Sequence, residues 1–136
     1  MAVLDTNVII RYLTKDNADH ARQAYELLQE VDAGKRTMLL PEGVLVEIVQ
    51  VLSSKQLYNV ARGTIRERLR AILSMPGIRL PNKRSYLQAL DLYVDYSRLS
   101  FVDALCIAHA QRSEGGVVVS FDEGYKNLPG VKWEQP

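Results

Sequence analysis

Apolar positions along the chain fall into two patterns: short unbroken runs, and longer stretches that repeat every three to four residues. Ala2-Val3-Leu4 is a short run that stops at Asp5. The Asp-Thr-Asn that follows supplies helix-starting side chains, so the pattern predicts a buried strand over 2–4 feeding a helix through Val8, Ile9, Ile10, Tyr12 and Leu13. Ala21, Ala24, Leu27, Leu28 and Val31 recur at helical spacing and predict a helix over 18–31, closed by Gly34. A second strand is expected over 37–40, before Pro41 at the first turn of a helix over 43–53. A further helix is expected over 60–73, with Ile65, Leu69, Ile72 and Leu73 facing inward. Pro76-Gly77 is a break, followed by a strand at 78–80 that Pro81 ends. Helices are then expected over 86–96 and 100–110, the latter opened by Ser100-Phe101-Val102-Asp103, which fits a capping box. Val117-Val118-Val119 is the clearest buried strand, and 131–133 reads as a short final one. Strands alternating with helices predict an α/β fold with a parallel sheet covered on both faces, whose function gathers at the carboxyl ends of the strands.

With 136 residues, 47% of them apolar, the chain is long enough for one domain with a real core, and 1–136 reads as a single domain. The lone Cys106 precludes an internal disulfide and fits a reducing compartment. No apolar run is long enough to span a bilayer, and no basic leader precedes the first apolar stretch, so a cytoplasmic protein is expected. The net charge of +1 offers no global attraction to nucleic acid; a polyanionic partner would have to be held by local basic groups or by bound cations.

Four acids stand where chemistry is expected. Asp5 directly follows the first strand and Asp122 comes two residues after the strongest, so both belong to the carboxyl edge of a sheet. Asp103 lies in the first turn of its helix, and Glu47 interrupts an otherwise apolar helix. Each also has a plain structural explanation. Asp5 would cap its helix, Asp103 would complete the capping box, and Asp122 would cap a short turn at Glu123-Gly124-Tyr125. Glu47 would share a thin polar stripe with Gly43 and Gln50. As a set they imply more. Two carboxylates about 5 Å apart repel by roughly 3 kcal/mol at an effective dielectric near 20. A pocket holding four of them calls for a divalent cation, and oxygen ligands suit Mg²⁺ or Mn²⁺. The only Cys and His residues are Cys106, His20 and His109, which make no zinc cluster.

At these positions the sequence resembles PIN-domain nucleases, in particular the VapC toxins of toxin–antitoxin pairs. Val3-Leu4-Asp5-Thr6-Asn7-Val8-Ile9-Ile10 matches the family's first acidic motif and Val46-Glu47-Ile48-Val49-Gln50-Val51-Leu52 the second. Ser100-Phe101-Val102-Asp103-Ala104 matches the third, and Val119-Ser120-Phe121-Asp122 the fourth, with Ser120 where many members carry Thr. The resemblance implies a three-layer α/β/α sandwich with a central parallel sheet, an RNA substrate, a divalent metal, a homodimer and a VapB-type antitoxin. The expected reaction is metal-assisted phosphodiester hydrolysis with Asp5, Glu47, Asp103 and Asp122 as catalytic metal ligands. Thr6, Asn7 and Ser120 are expected to hold the carboxylates and waters by hydrogen bonds, and Arg11 to contact substrate phosphate.

Other readings compete. Arg62, Arg66, Arg68 and Arg70 read as the wet side of a helix more readily than as an RNA-binding face. Cys106 between Leu105 and Ile107 reads as core rather than as a nucleophile paired with His109. A phospho-accepting receiver domain would need an aspartate after a central strand, where Pro81-Asn82 stands. An RNA-processing nuclease outside a toxin–antitoxin pair, and a non-catalytic PIN-like interaction module, are the alternatives within the fold.

Overall fold

Strand β1 (Ala2–Val3) leads into helix α1 (Thr6–Thr14), as the opening run predicts, and every later element follows the expected alternation. The computed structural model describes residues 1–136, which resolve into two compact units, Met1–Pro81 and Asn82–Pro136.

The first unit continues with α2 (Ala18–Asp32), β2 (Met38–Leu39), α3 (Glu42–Ser53), α4 (Arg62–Leu73) and β3 (Ile78–Arg79). Its strands form a parallel sheet in the order β1-β2-β3, with Ala2 paired to Met38 and Met38 to Ile78. Leu45, Ile48, Val49 and Leu52 on α3 recur at helical spacing and are fully buried, which fixes the inward face of that helix. Leu4, Ile9, Leu28, Ile65 and Leu69 complete the same apolar interior. Asn17 caps α2 by accepting from the His20 backbone N–H at 3.0 Å. At the far end of α1, Lys15 adopts a left-handed conformation, and Arg68 of α4 donates to the Leu13 carbonyl at 2.9 Å. One arginine of the 62–70 group thus secures a helix end.

The second unit carries α5 (Lys83–Asp95), α6 (Phe101–Arg112), β4 (Val117–Val119) and β5 (Lys132–Glu134), with β4 and β5 parallel and Val118 opposite Trp133. Helices α5 and α6 pack through Tyr86, Ala89, Leu90 and Tyr93 on one side and Phe101, Ala104, Leu105 and Ala108 on the other, all buried; Tyr93 meets Phe101 edge to face. The α/β class is therefore as expected, and every strand pair is parallel.

Several boundaries differ from the sequence reading, each for a local reason. Helix α4 starts at Arg62 rather than near Val60, because the Val60 N–H donates to the Leu52 carbonyl and ties that residue back to α3. Helix α5 starts at Lys83, ahead of Tyr86: Asn82 turns the chain left-handed (φ 59°) just before it and makes no side-chain cap. Pro41 sits one step before α3 as its cap rather than in its first turn.

Candidate metal centre

Asp5 occupies the N-cap of α1 with extended backbone (φ −95°, ψ 160°), yet its side chain makes no capping hydrogen bond. The plain structural explanation for this residue therefore fails, and the carboxylate stands exposed. Glu47, on α3, is exposed as well. Both line a cleft of about 260 Å³ with Thr6, Asn7, Ile10, Arg11, Val51 and Tyr58. Neither carboxylate has a hydrogen-bond or ion-pair partner. The Thr6 side chain in the same cleft is 6% exposed, and its hydroxyl oxygen is buried without a partner. A buried hydroxyl left unpaired costs about 1–3 kcal/mol, so its presence beside two free carboxylates marks a place where polar atoms await something to bind. The donor set is oxygen only, which fits Mg²⁺ or Mn²⁺. A larger neighbouring cleft of about 320 Å³ shares Asn7 and Arg11 but contains no acidic side chain.

In the second unit the capping box at the start of α6 forms as read. Ser100 Oγ accepts from the Asp103 N–H, and Asp103 Oδ2 accepts from the Ser100 N–H, each at 3.1 Å. Asp103 Oδ1 accepts from the Tyr125 hydroxyl at 3.0 Å. Burial, followed by that bond to Asp103, pushes the Tyr125 phenol well above its ordinary range, so it stays a proton donor at any working pH. Tyr125 is held in place by the turn that Asp122 caps, with Asp122 Oδ1 accepting from the Gly124 N–H at 2.8 Å. The Ser120 hydroxyl accepts from the Asp122 backbone N–H at 2.9 Å and so fixes the start of that turn rather than the carboxylate itself. A carboxylate offers about four acceptor positions, so Asp103 and Asp122 keep free lone pairs after these structural bonds. Replacing Ser100 with alanine should cost about 1 kcal/mol of stability by removing the cap, measurable as a lower denaturant midpoint at unchanged slope.

The structure thus places Asp5 and Glu47 together in one cleft, and links Asp103 to the Asp122 turn through Tyr125. No group of three or more His, Cys, Asp or Glu side chains converges on one point. Sequence reasoning missed Tyr125 as a partner of Asp103. It stands three residues after the fourth acid, and only the folded turn brings it to α6. Cys106 is a correction. It is exposed rather than core, because Phe101, Ala104, Leu105, Ile107 and Ala108 take the buried positions of α6. That leaves Cys106 one turn on from Val102, itself 46% exposed.

Comparison with known proteins identifies the family. The model of the PIN domain family matches residues 2–131. The chain is 27% identical over 133 residues to the VapC ribonuclease Mb1869c of Mycobacterium bovis, covering 97% of this chain and 98% of that protein. It is equally similar, over the same shares of both chains, to ribonuclease VapC13 of Mycobacterium tuberculosis. A family match that covers residues 2–131, and so runs through both compact units, makes this chain a member of the PIN-domain family.

Proposed function

We propose that this chain is a divalent-metal-dependent ribonuclease and the toxin component of a toxin–antitoxin pair. Its partners would be an RNA substrate, a second copy of itself in a homodimer and a VapB-type antitoxin that blocks the site. Cytoplasmic action suits this role, and no helix is long and apolar enough to cross a membrane. The two compact units are read as parts of one PIN domain, the α/β/α sandwich, because the family match runs through both. Asp5 and Glu47 in the first unit are the carboxylates proposed to bind the metal, and Asp103 and Asp122 in the second are the further ligands that the family resemblance implies.

The observation that carries this reading is the pair of partnerless carboxylates, Asp5 and Glu47, sharing a cleft with an unsatisfied buried hydroxyl. Bound Mg²⁺ or Mn²⁺ would supply Lewis acidity and a water of lowered pKa at a phosphodiester. The chain's own residues do the rest. Asp5 and Glu47 would hold the ion, Asp103 and Asp122 are the further ligands implied by the family resemblance, and the Tyr125 hydroxyl fixes the rotamer of Asp103. Ser120 sets the turn that presents Asp122, and Thr6 and Asn7 offer hydrogen bonds to ordered water. Arg11, in the same cleft, contacts the substrate phosphate.

Single-stranded RNA incubated with the purified chain should be cleaved with Mg²⁺ or Mn²⁺ present, spared when a chelator is added, and cleaved again when metal is restored. Cleavage that persists in chelator rules out the metal-dependent reading.

A further inference from the structure

Arg11 shares a cleft with two carboxylates that have no partner, and a guanidinium in such a place is drawn to them. It is instead paired elsewhere. Arg11 Nη1 donates to Asp16 Oδ1 at 2.8 Å, and no hydrogen bond joins it to Asp5 or Glu47. Asp16 is fixed in turn from a different part of the chain: the Tyr58 hydroxyl donates to its Oδ2 at 2.7 Å. Tyr58 belongs to the 54–61 connection between α3 and α4 and lines the cleft itself. The Thr14 hydroxyl lies 3.1 Å from Asp16 Oδ1. The Tyr58 bond first, and then Arg11, hold the Asp16 carboxyl down to about 2, so it is fully charged near neutrality. The bond to Asp16 likewise raises the Tyr58 phenol, which keeps its proton.

We propose that Asp16 and Tyr58 are positioning residues that hold Arg11 beside, and not upon, Asp5 and Glu47. The carboxylates then stay open to a divalent cation while Arg11 keeps other N–H donors for the RNA phosphate. The inference rests on the reading of Asp5 and Glu47 as cation ligands. Without the charge on Asp16, the only anions in the cleft that Arg11 lines are the Asp5 and Glu47 carboxylates. The side chain becomes an internal competitor for the site.

The test is Mn²⁺ binding to the full chain by calorimetry, without RNA, with circular dichroism to check folding. Asp16→Asn keeps an acceptor for Tyr58 but removes the charge, and should weaken Mn²⁺ binding about tenfold, as lost supporting contacts around metal ligands do. Adding Arg11→Gln to Asp16→Asn removes the competitor and should restore binding to within about twofold of the parent. Tyr58→Phe should shift binding in the same direction as Asp16→Asn by a smaller factor, and serves if the latter does not fold. Parental affinity in Asp16→Asn, or in Tyr58→Phe when that variant stands in for it, overturns the proposal. So does a double variant as weak as the single, which would make Asp16 merely structural. A parent that binds no Mn²⁺ removes the metal reading and this inference with it. A parent that binds, with unaffected variants, removes this inference alone.

Discussion

Replacing Asp5 with asparagine is expected to lower RNA cleavage by at least about 100-fold, beyond the loss typical of residues that merely support metal ligands. The fold should hardly notice. The Asp5 side chain is exposed and makes no cap hydrogen bond, and asparagine is as good an N-cap residue as aspartate. Losing a negative charge at a helix N-terminus costs about 0.3–1 kcal/mol, and relief of repulsion with Glu47 offsets part of it. Two measurements separate chemistry from folding. Thermal unfolding in chelator should give nearly the same midpoint for parent and variant. Added Mn²⁺ should raise the parent's midpoint by mass action and leave the variant's almost unmoved. Parental cleavage by a folded Asp5→Asn protein would remove Asp5 from the centre.

The largest expected loss of stability comes from a residue far from any chemistry. Gly77 lies where the chain passes the end of α2 to begin β3. Its N–H donates to the Val31 carbonyl at 3.0 Å, and its carbonyl accepts from the Met38 N–H at 2.8 Å. A Cβ at this position would collide with the Arg36 carbonyl oxygen and lie 2.7 Å from the Val31 oxygen and 2.9 Å from Val31 Cγ1. Two of those neighbours are backbone and cannot rotate away. Gly77→Ala should therefore cost about 2–4 kcal/mol, an overpacking penalty with a strained hydrogen bond added to it. Urea unfolding reads this as a lower midpoint. A shift equivalent to less than about 0.5 kcal/mol, ordinary for a surface change, would show that the backbone yields at little cost.

Fold class was legible in the sequence because its signals are local. The Val117–Val119 run becomes β4, and Ser100 and Asp103 form the box that their spacing implies. The four acids were legible by type and position, and two of them do what their surroundings suggest as caps. Asp5 takes the N-cap position without the side-chain bond of a cap, because N-cap preference says which residues stop a chain well, not whether the side chain turns back to the helix. The partners of the acids and of Arg11 were not legible. Tyr58 meets Asp16 across 42 residues, and Tyr125 meets Asp103 across 22, so no periodicity connects them. Tyrosines that look scattered along the chain also pair in space: the Tyr12 and Tyr25 rings stack at 6.4 Å. Cys106 was misplaced because α6 is apolar around most of its circumference, and sequence gives little hint of which side faces water.

Two complete helices separate β1 from β2, and two more separate β2 from β3, while each strand is only two residues long. The entropy of closing such long connections must be met before a single ladder bond forms, and each ladder returns very few bonds. Such strands make poor starting points for folding. The α1 and α2 helices adjoin in sequence and pack on each other, so they are expected to form before the sheet, which should assemble late in refolding. Asp5 and Glu47 would then come into register only in the final steps, so a chain still emerging from synthesis would have no assembled cation site.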